Sequence, residues 1–139
     1  MQVINSVESP AAKSLIYPPH TIKRAERAIR CAPFSKKLYT TMLTQSVSIG
    51  SITGESGVQL GYTRSPKSEL AADSALSWLI QVGLLRREVD GQGLTDSFRL
   101  TPLGRQLVEK WQAQEENWLT PTFKDRFLNA LSRWLRLPL

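Results

Sequence analysis

Apolar residues recur at helical spacing in five stretches of this 139-residue chain and alternate in one. From Thr21 to Cys31 the residues Ile22, Ala25 and Ile29 share one side of a helix, and Lys23, Arg24, Arg27 and Arg30 share the other. That spacing predicts a short helix with a basic outer face. Beyond Pro33, the residues Phe34, Leu38 and Met42, with Leu43, mark a second inward stripe. A longer amphipathic helix is predicted from Ser65–Pro66 to about Val82, stopped by Gly83. Its core arc holds Ala72, Ala75, Leu76, Leu79 and Ile80; the opposite arc holds Lys67, Leu70, Ala71, Ser74, Ser77, Trp78 and Gln81.

The pattern then changes period. Leu84, Leu85 and Val89, followed by Phe98 and Leu100, read as two strands, with Asp90-Gly91 and Gly93 supplying the turn. Thr101 as a cap and Pro102 at the first helical position start a helix to about Glu116 with an inward stripe of Leu103, Leu107 and Trp111. After Pro121, Thr122 and Asp125 form a capping-box variant. The helix that follows gathers Phe123, Phe127, Leu128, Ala130, Leu131, Trp134 and Leu135 on one arc. Asp125, Arg126, Asn129, Ser132, Arg133 and Arg136 occupy the other. So broad an apolar arc needs a docking surface: its own domain, the same helix of a second subunit, another protein, or an anionic membrane. Between Ser46 and Ser65 four glycines, Gly50, Gly54, Gly57 and Gly61, predict a loop-rich segment with little regular helix. The first 17 residues show no period. The chain thus divides into a flexible arm (1–19), a domain (20–116) and a C-terminal amphipathic helix (117–139).

The run "SWLIQVGLLRREV", the Gly-containing hairpin and "FRLTPLGRQLVEKW" together resemble the second half of a winged helix-turn-helix domain. MarR-like and PadR-like members often carry such a helix start after their wing. The resemblance covers roughly residues 33 to 113. It implies a mainly α fold with a small β-hairpin wing (α+β), a winged core carrying extra N- and C-terminal helices. It also implies a recognition helix in the DNA major groove, a hairpin over the sugar-phosphate backbone, and terminal helices that build a dimer interface.

Charge sharpens this expectation. The net charge is +6, and the window from Lys13 to Lys37, with seven basic residues against Glu26, carries all of it. A localised excess of this kind is the footprint of a polyanion-binding surface. The sequence therefore points to a small DNA-binding regulator acting as a homodimer on double-stranded DNA. Its phosphate contacts are expected from Lys23, Arg24, Arg27, Arg30, Lys67 and the hairpin residues Arg86, Arg87 and Arg99, and its groove contacts from Ala71, Ser74, Ser77 and Gln81. That helix lacks the Arg or Asn that gives strong base readout. A basic patch does not distinguish DNA from RNA, so an RNA-binding version stays open, and an alternative of another class is an interaction module that binds a protein, or less favourably a membrane surface, through Trp78 and the C-terminal helix. In either reading Trp78, Trp111, Phe123, Phe127, Leu131, Trp134 and Leu135 are the interface candidates.

Other classes find little support. One cysteine, Cys31, and one histidine, His20, make neither an intramolecular disulfide nor a common zinc site, and a reducing cytoplasmic setting is expected. The glycine cluster lacks the Lys-Ser/Thr of a P-loop, since Tyr62 and Thr63 follow Gly61. No acidic partner is signalled for His20 or Cys31, so neither catalysis nor a cofactor is expected. The N-terminus lacks the charged start and apolar core of a secretory signal, and no apolar run is long enough for a membrane span.

Overall fold

The computed structural model describes residues 16–114 and 119–136; the expected N-terminal arm falls largely outside them. Among the described residues, seven helices and one three-stranded antiparallel sheet form an α+β fold. The helices are α1 (Pro19–Cys31), α2 (Lys36–Thr41), α3 (Ile49–Ile52), α4 (Gly54–Gln59), α5 (Glu69–Gln81), α6 (Pro102–Gln114) and α7 (Phe123–Trp134). The strands are β1 (Val47–Ser48), β2 (Leu85–Asp90) and β3 (Gly93–Leu100), in the spatial order β1-β3-β2.

The hairpin forms where turn chemistry and alternation predicted it. Leu85 faces Leu100, and the Asp90 carboxylate accepts from the Gln92 N–H at 2.7 Å to close the turn. An irregularity between Arg87 and Val89 interrupts the ladder. The proximal residues Leu85, Phe98 and Leu100 are buried, whereas Val89 and Leu94 stand in solvent. On the far side of β3, Val47 of β1 pairs with Phe98. This short strand has no sequence signature of its own.

Residues 46–65 depart from the loop-rich expectation. Ser48 caps α3 by accepting from the Ser51 N–H, Ile52 reaches the core, and α4 follows after Thr53. Gly57, expected to break helix, instead permits close packing: a Cβ there would lie 2.0 Å from the Ile52 carbonyl oxygen. Its backbone carbonyl then accepts from the N–H groups of both Tyr62 and Thr63.

Helix α5 starts at Glu69, later than the Ser65–Pro66 start expected. The Lys67 carbonyl is taken by the Gly54 N–H at 2.8 Å, and Ser68 caps the helix by accepting from the Ala71 N–H at 3.1 Å. The predicted core arc is otherwise observed, with Ala72, Ala75, Leu76 and Leu79 buried and Ile80 partly so.

The TPLGR segment acts as a joint between sheet and helix. Thr101 Oγ1 donates to the Gly83 carbonyl and accepts from the Gly104 N–H, while the Thr101 N–H donates to the Leu84 carbonyl. A Cβ on Gly104 would lie 2.3 Å from that same carbonyl oxygen, so only glycine lets α6 approach. Arg105 Nη2 then donates to the Leu43 carbonyl at 2.7 Å, tying α6 to the segment after α2. The motif that carried the family resemblance is thus accounted for by folding contacts.

Helix α7 packs against α1, and it does so on its polar arc. Ser132 is its most buried residue, while Phe123, Phe127, Trp134 and Leu135 are 84, 56, 65 and 63% exposed. Among the described residues, Leu128 and Leu131 of the apolar arc are partly buried, and its other large side chains find no docking surface. Hydrogen bonds to partners on α1 and α5, rather than apolar burial, decide which side faces in.

Candidate nucleic-acid interface

The residues expected to meet phosphate are spread over three surfaces, and many have other engagements. On α1 the expected outer face is partly roofed by α7. Arg30 donates to both carboxylate oxygens of Asp125, at 3.1 and 3.3 Å, and the Nε atoms of Arg24 and Arg27 are buried. Lys23 is the exposed cation of the four. Periodicity put these residues on one arc correctly, but it carries no information about a second helix crossing that arc.

The face of α5 expected from the sequence to meet a groove is divided. Ala71 and Gln81 are exposed and Ser77 and Lys67 partly so. Ser74 instead accepts from Arg133 Nη2 at 2.9 Å, and Trp78, 7% exposed, donates its indole N–H to Asn129 of α7 at 2.9 Å. Trp78 is therefore a contact within the chain, which corrects its expected role in capturing an external partner. Trp111 is corrected likewise: at 5% exposure it belongs to the domain's own core. Leu131 is partly buried on α7.

The hairpin arginines are paired with acids that no sequence pattern connects to them. Arg87 Nη2 meets Asp73 at 3.1 Å with its guanidinium 4.8 Å from the Phe98 ring centre, and Arg99 Nη1 meets Glu88 at 3.2 Å. Arg86 is the most open, its side chain half exposed and its nearest carboxylate oxygen, on Glu88, 3.9 Å away.

The fold assembles a cationic site elsewhere. A cleft of about 860 Å³ opens where the α1–α2 junction, the segment before α5 and the segment before α7 converge. Its described cations are Arg30, Lys36, Lys37, Arg64, Lys67 and Arg126, and none of its described lining residues is acidic. Arg30 is held by Asp125, whereas the other five make no ion pair with any described residue. Local bonds hold the walls: the Ser35 N–H donates to the Tyr62 carbonyl at 2.8 Å, and its hydroxyl donates to that of Gly61. Cations without a described acidic partner focus a positive potential in the cleft, and the Ser65 and Thr120 side chains add hydroxyl donors. Lys36 and Lys37 belong to the basic window without an expected contact, and nothing in the sequence singles out Arg64 or Arg126. For Lys36, Lys37 and Arg64 the one legible signal is charge without a nearby acid, which Arg126, beside Asp125, lacks; their convergence across 90 residues of chain is tertiary.

The profile of the Npun_F0494-like family matches residues 15–133, from before α1 to near the end of α7. The chain belongs to the Npun_F0494-like family. No curated protein and no solved structure matches it. The Npun_F0494-like unit thus includes α1 and α7 as well as the helices and sheet between them, and with them the whole lining of the basic cleft.

Two titratable groups border the cleft of this Npun_F0494-like protein. Burial alone would raise the Asp125 carboxyl, but hydrogen bonds from Thr122 and the Arg30 guanidinium outweigh it and hold the group below its ordinary value. The Cys31 thiol is pushed up, chiefly by burial and then by the Asp125 charge, against the pull of Arg126, Arg30 and Arg27. A thiol so placed stays protonated at neutral pH and is a poor nucleophile. Among the described residues no cluster of His, Cys, Asp and Glu has metal-site geometry, and no helix is long and apolar enough to cross a membrane.

Proposed function

We propose that the chain is a double-stranded DNA-binding protein of winged-helix type that holds DNA chiefly by its phosphates. The element order from α2 through β1, α3–α4 and α5 to the β2–β3 hairpin supports the winged-helix reading. So does the pairing of β1 with the hairpin strand β3. In that arrangement α5 occupies the recognition-helix position and the hairpin is the wing.

The observation that carries the reading is the cleft at the approach to α5, which has no acid among its described lining residues. Lys36, Lys37, Arg64 and Lys67 converge there without ion-pair partners among the described residues. Side chains of this kind fix a protein on the duplex backbone without reading its sequence. Lys67, Ala71, Ser77 and Gln81 remain on α5 and its approach to meet a groove, while Ser74 and Trp78 are engaged by α7. The small dimeric transcription regulator expected from the sequence is thereby narrowed to a DNA-binding protein of weak sequence preference.

The test is binding of the full chain to a labelled random-sequence duplex across a salt series. The variant Lys36→Gln/Lys37→Gln/Arg64→Gln is measured beside it. Micromolar-range binding is expected, with a log–log salt slope that becomes shallower by about 0.9 for each phosphate the variant no longer neutralises. No binding at low salt, or an unchanged slope in the triple variant, would overturn the reading.

A further inference from the structure

Four residues of the polar arc of α7 are committed to contacts within the protein. Asp125 pairs with Arg30, Asn129 accepts from Trp78, Arg133 donates to Ser74, and Ser132 is 4% exposed. A capping box at Thr122 and Asp125 secures the first turn. The helix is therefore held in a fixed rotation that presents Phe123, Phe127 and Trp134 outward as one row. Their exposure is imposed by contacts on the opposite side.

The rim of this face decides its occupant. Lys124, Arg126 and Arg136 are exposed around it, and Arg133 lies with its guanidinium 4.3 Å from the Trp134 ring centre. Asp125, the sole acid of the helix, points inward and is neutralised by Arg30. Two copies of α7 laid face to face would bring cation against cation with no counter-charge. An anionic bilayer offers both halves of the complement: negative headgroups for the cations, and an acyl boundary into which an apolar helix face sinks by roughly 5–10 Å. Aromatic side chains, Trp above all, favour that depth.

We propose that the outward face of α7 docks the protein on an anionic lipid bilayer, with Phe123, Phe127 and Trp134 inserted and Lys124, Arg126 and Arg136 at the headgroups. Arg126 is shared with the lining of the basic cleft, whereas Phe123, Phe127 and Trp134 lie outside that lining, and the proposal does not rest on the DNA-binding reading.

The test is flotation of the full chain with vesicles of phosphatidylcholine alone or mixed with phosphatidylglycerol, alongside the Phe123→Ser/Phe127→Ser/Trp134→Ser variant. All three replaced side chains are exposed, so the variant is expected to keep the wild-type far-ultraviolet circular dichroism. The wild type is expected to float with the anionic vesicles at least tenfold more than with the neutral ones, and the variant to lose that preference. Absence of wild-type binding to anionic vesicles, or equal binding by the variant, overturns the proposal. So does a wild-type dimer in light scattering that the three substitutions dissociate, because the occupant is then a second copy.

Discussion

The indole N–H of Trp78 donates to the side-chain oxygen of Asn129 at 2.9 Å, joining α5 to α7 across 51 residues of sequence. With Arg30–Asp125 and Ser74–Arg133 it forms a polar seam that fixes the rotation of α7. The same seam engages two residues of the α5 face proposed to meet DNA and turns the aromatic row of α7 outward. The membrane-docking proposal follows from these contacts.

Replacing Asn129 with Ala leaves a nearly buried indole N–H without its acceptor, a destabilisation of about 1–3 kcal/mol. The expected result is a lower unfolding midpoint together with faster amide exchange in α7 than in α5. Unchanged exchange in α7 would show that the bond contributes nothing to docking.

Acid should loosen the same seam. The Asp125 carboxyl lies below its ordinary value in the folded chain, so its contribution is fully present above the unfolded aspartate value of about 3.9. It is lost as pH falls through the lowered folded value. Amide exchange in α7, corrected for intrinsic rates, is expected to stay level from neutrality to about pH 4 and to accelerate below it. In Asp125→Asn this acid-dependent step should shrink.

Gly104→Ala is expected to destabilise the domain by about 1–3 kcal/mol or more, because the added Cβ meets backbone that cannot swing away. Denaturant midpoints measure this. A shift below about 0.5 kcal/mol would mean that α6 can move off the Leu84 carbonyl freely.

The hairpin arginines should separate in a binding assay. Arg86→Gln is expected to weaken duplex binding and flatten its salt dependence, since Arg86 is the least engaged of the three. Arg87→Gln and Arg99→Gln remove residues already paired with Asp73 and Glu88, and should alter binding less. Equal losses for all three would place the whole hairpin on the phosphates.

The elements themselves were readable wherever one signal dominated. Turn residues at Asp90 to Gly93, the Thr101–Pro102 start and the Thr122–Asp125 box marked hairpin and helix boundaries, because these are interactions between residues close in sequence. Gly57 misled for the opposite reason. A glycine that breaks helices and one that admits a neighbouring carbonyl look alike until the neighbour is in place.

Period, caps and turns were thus determined by the sequence, since each depends on geometry repeating within a few residues. Only the tertiary structure decided which face of α7 is buried. Its apolar arc promised the larger gain from leaving water, yet three hydrogen-bonded pairs with α1 and α5 turn its polar arc inward. The cleft was decided the same way. Lys36, Arg64 and Arg126 become one site when three distant segments converge, and no local pattern records that convergence.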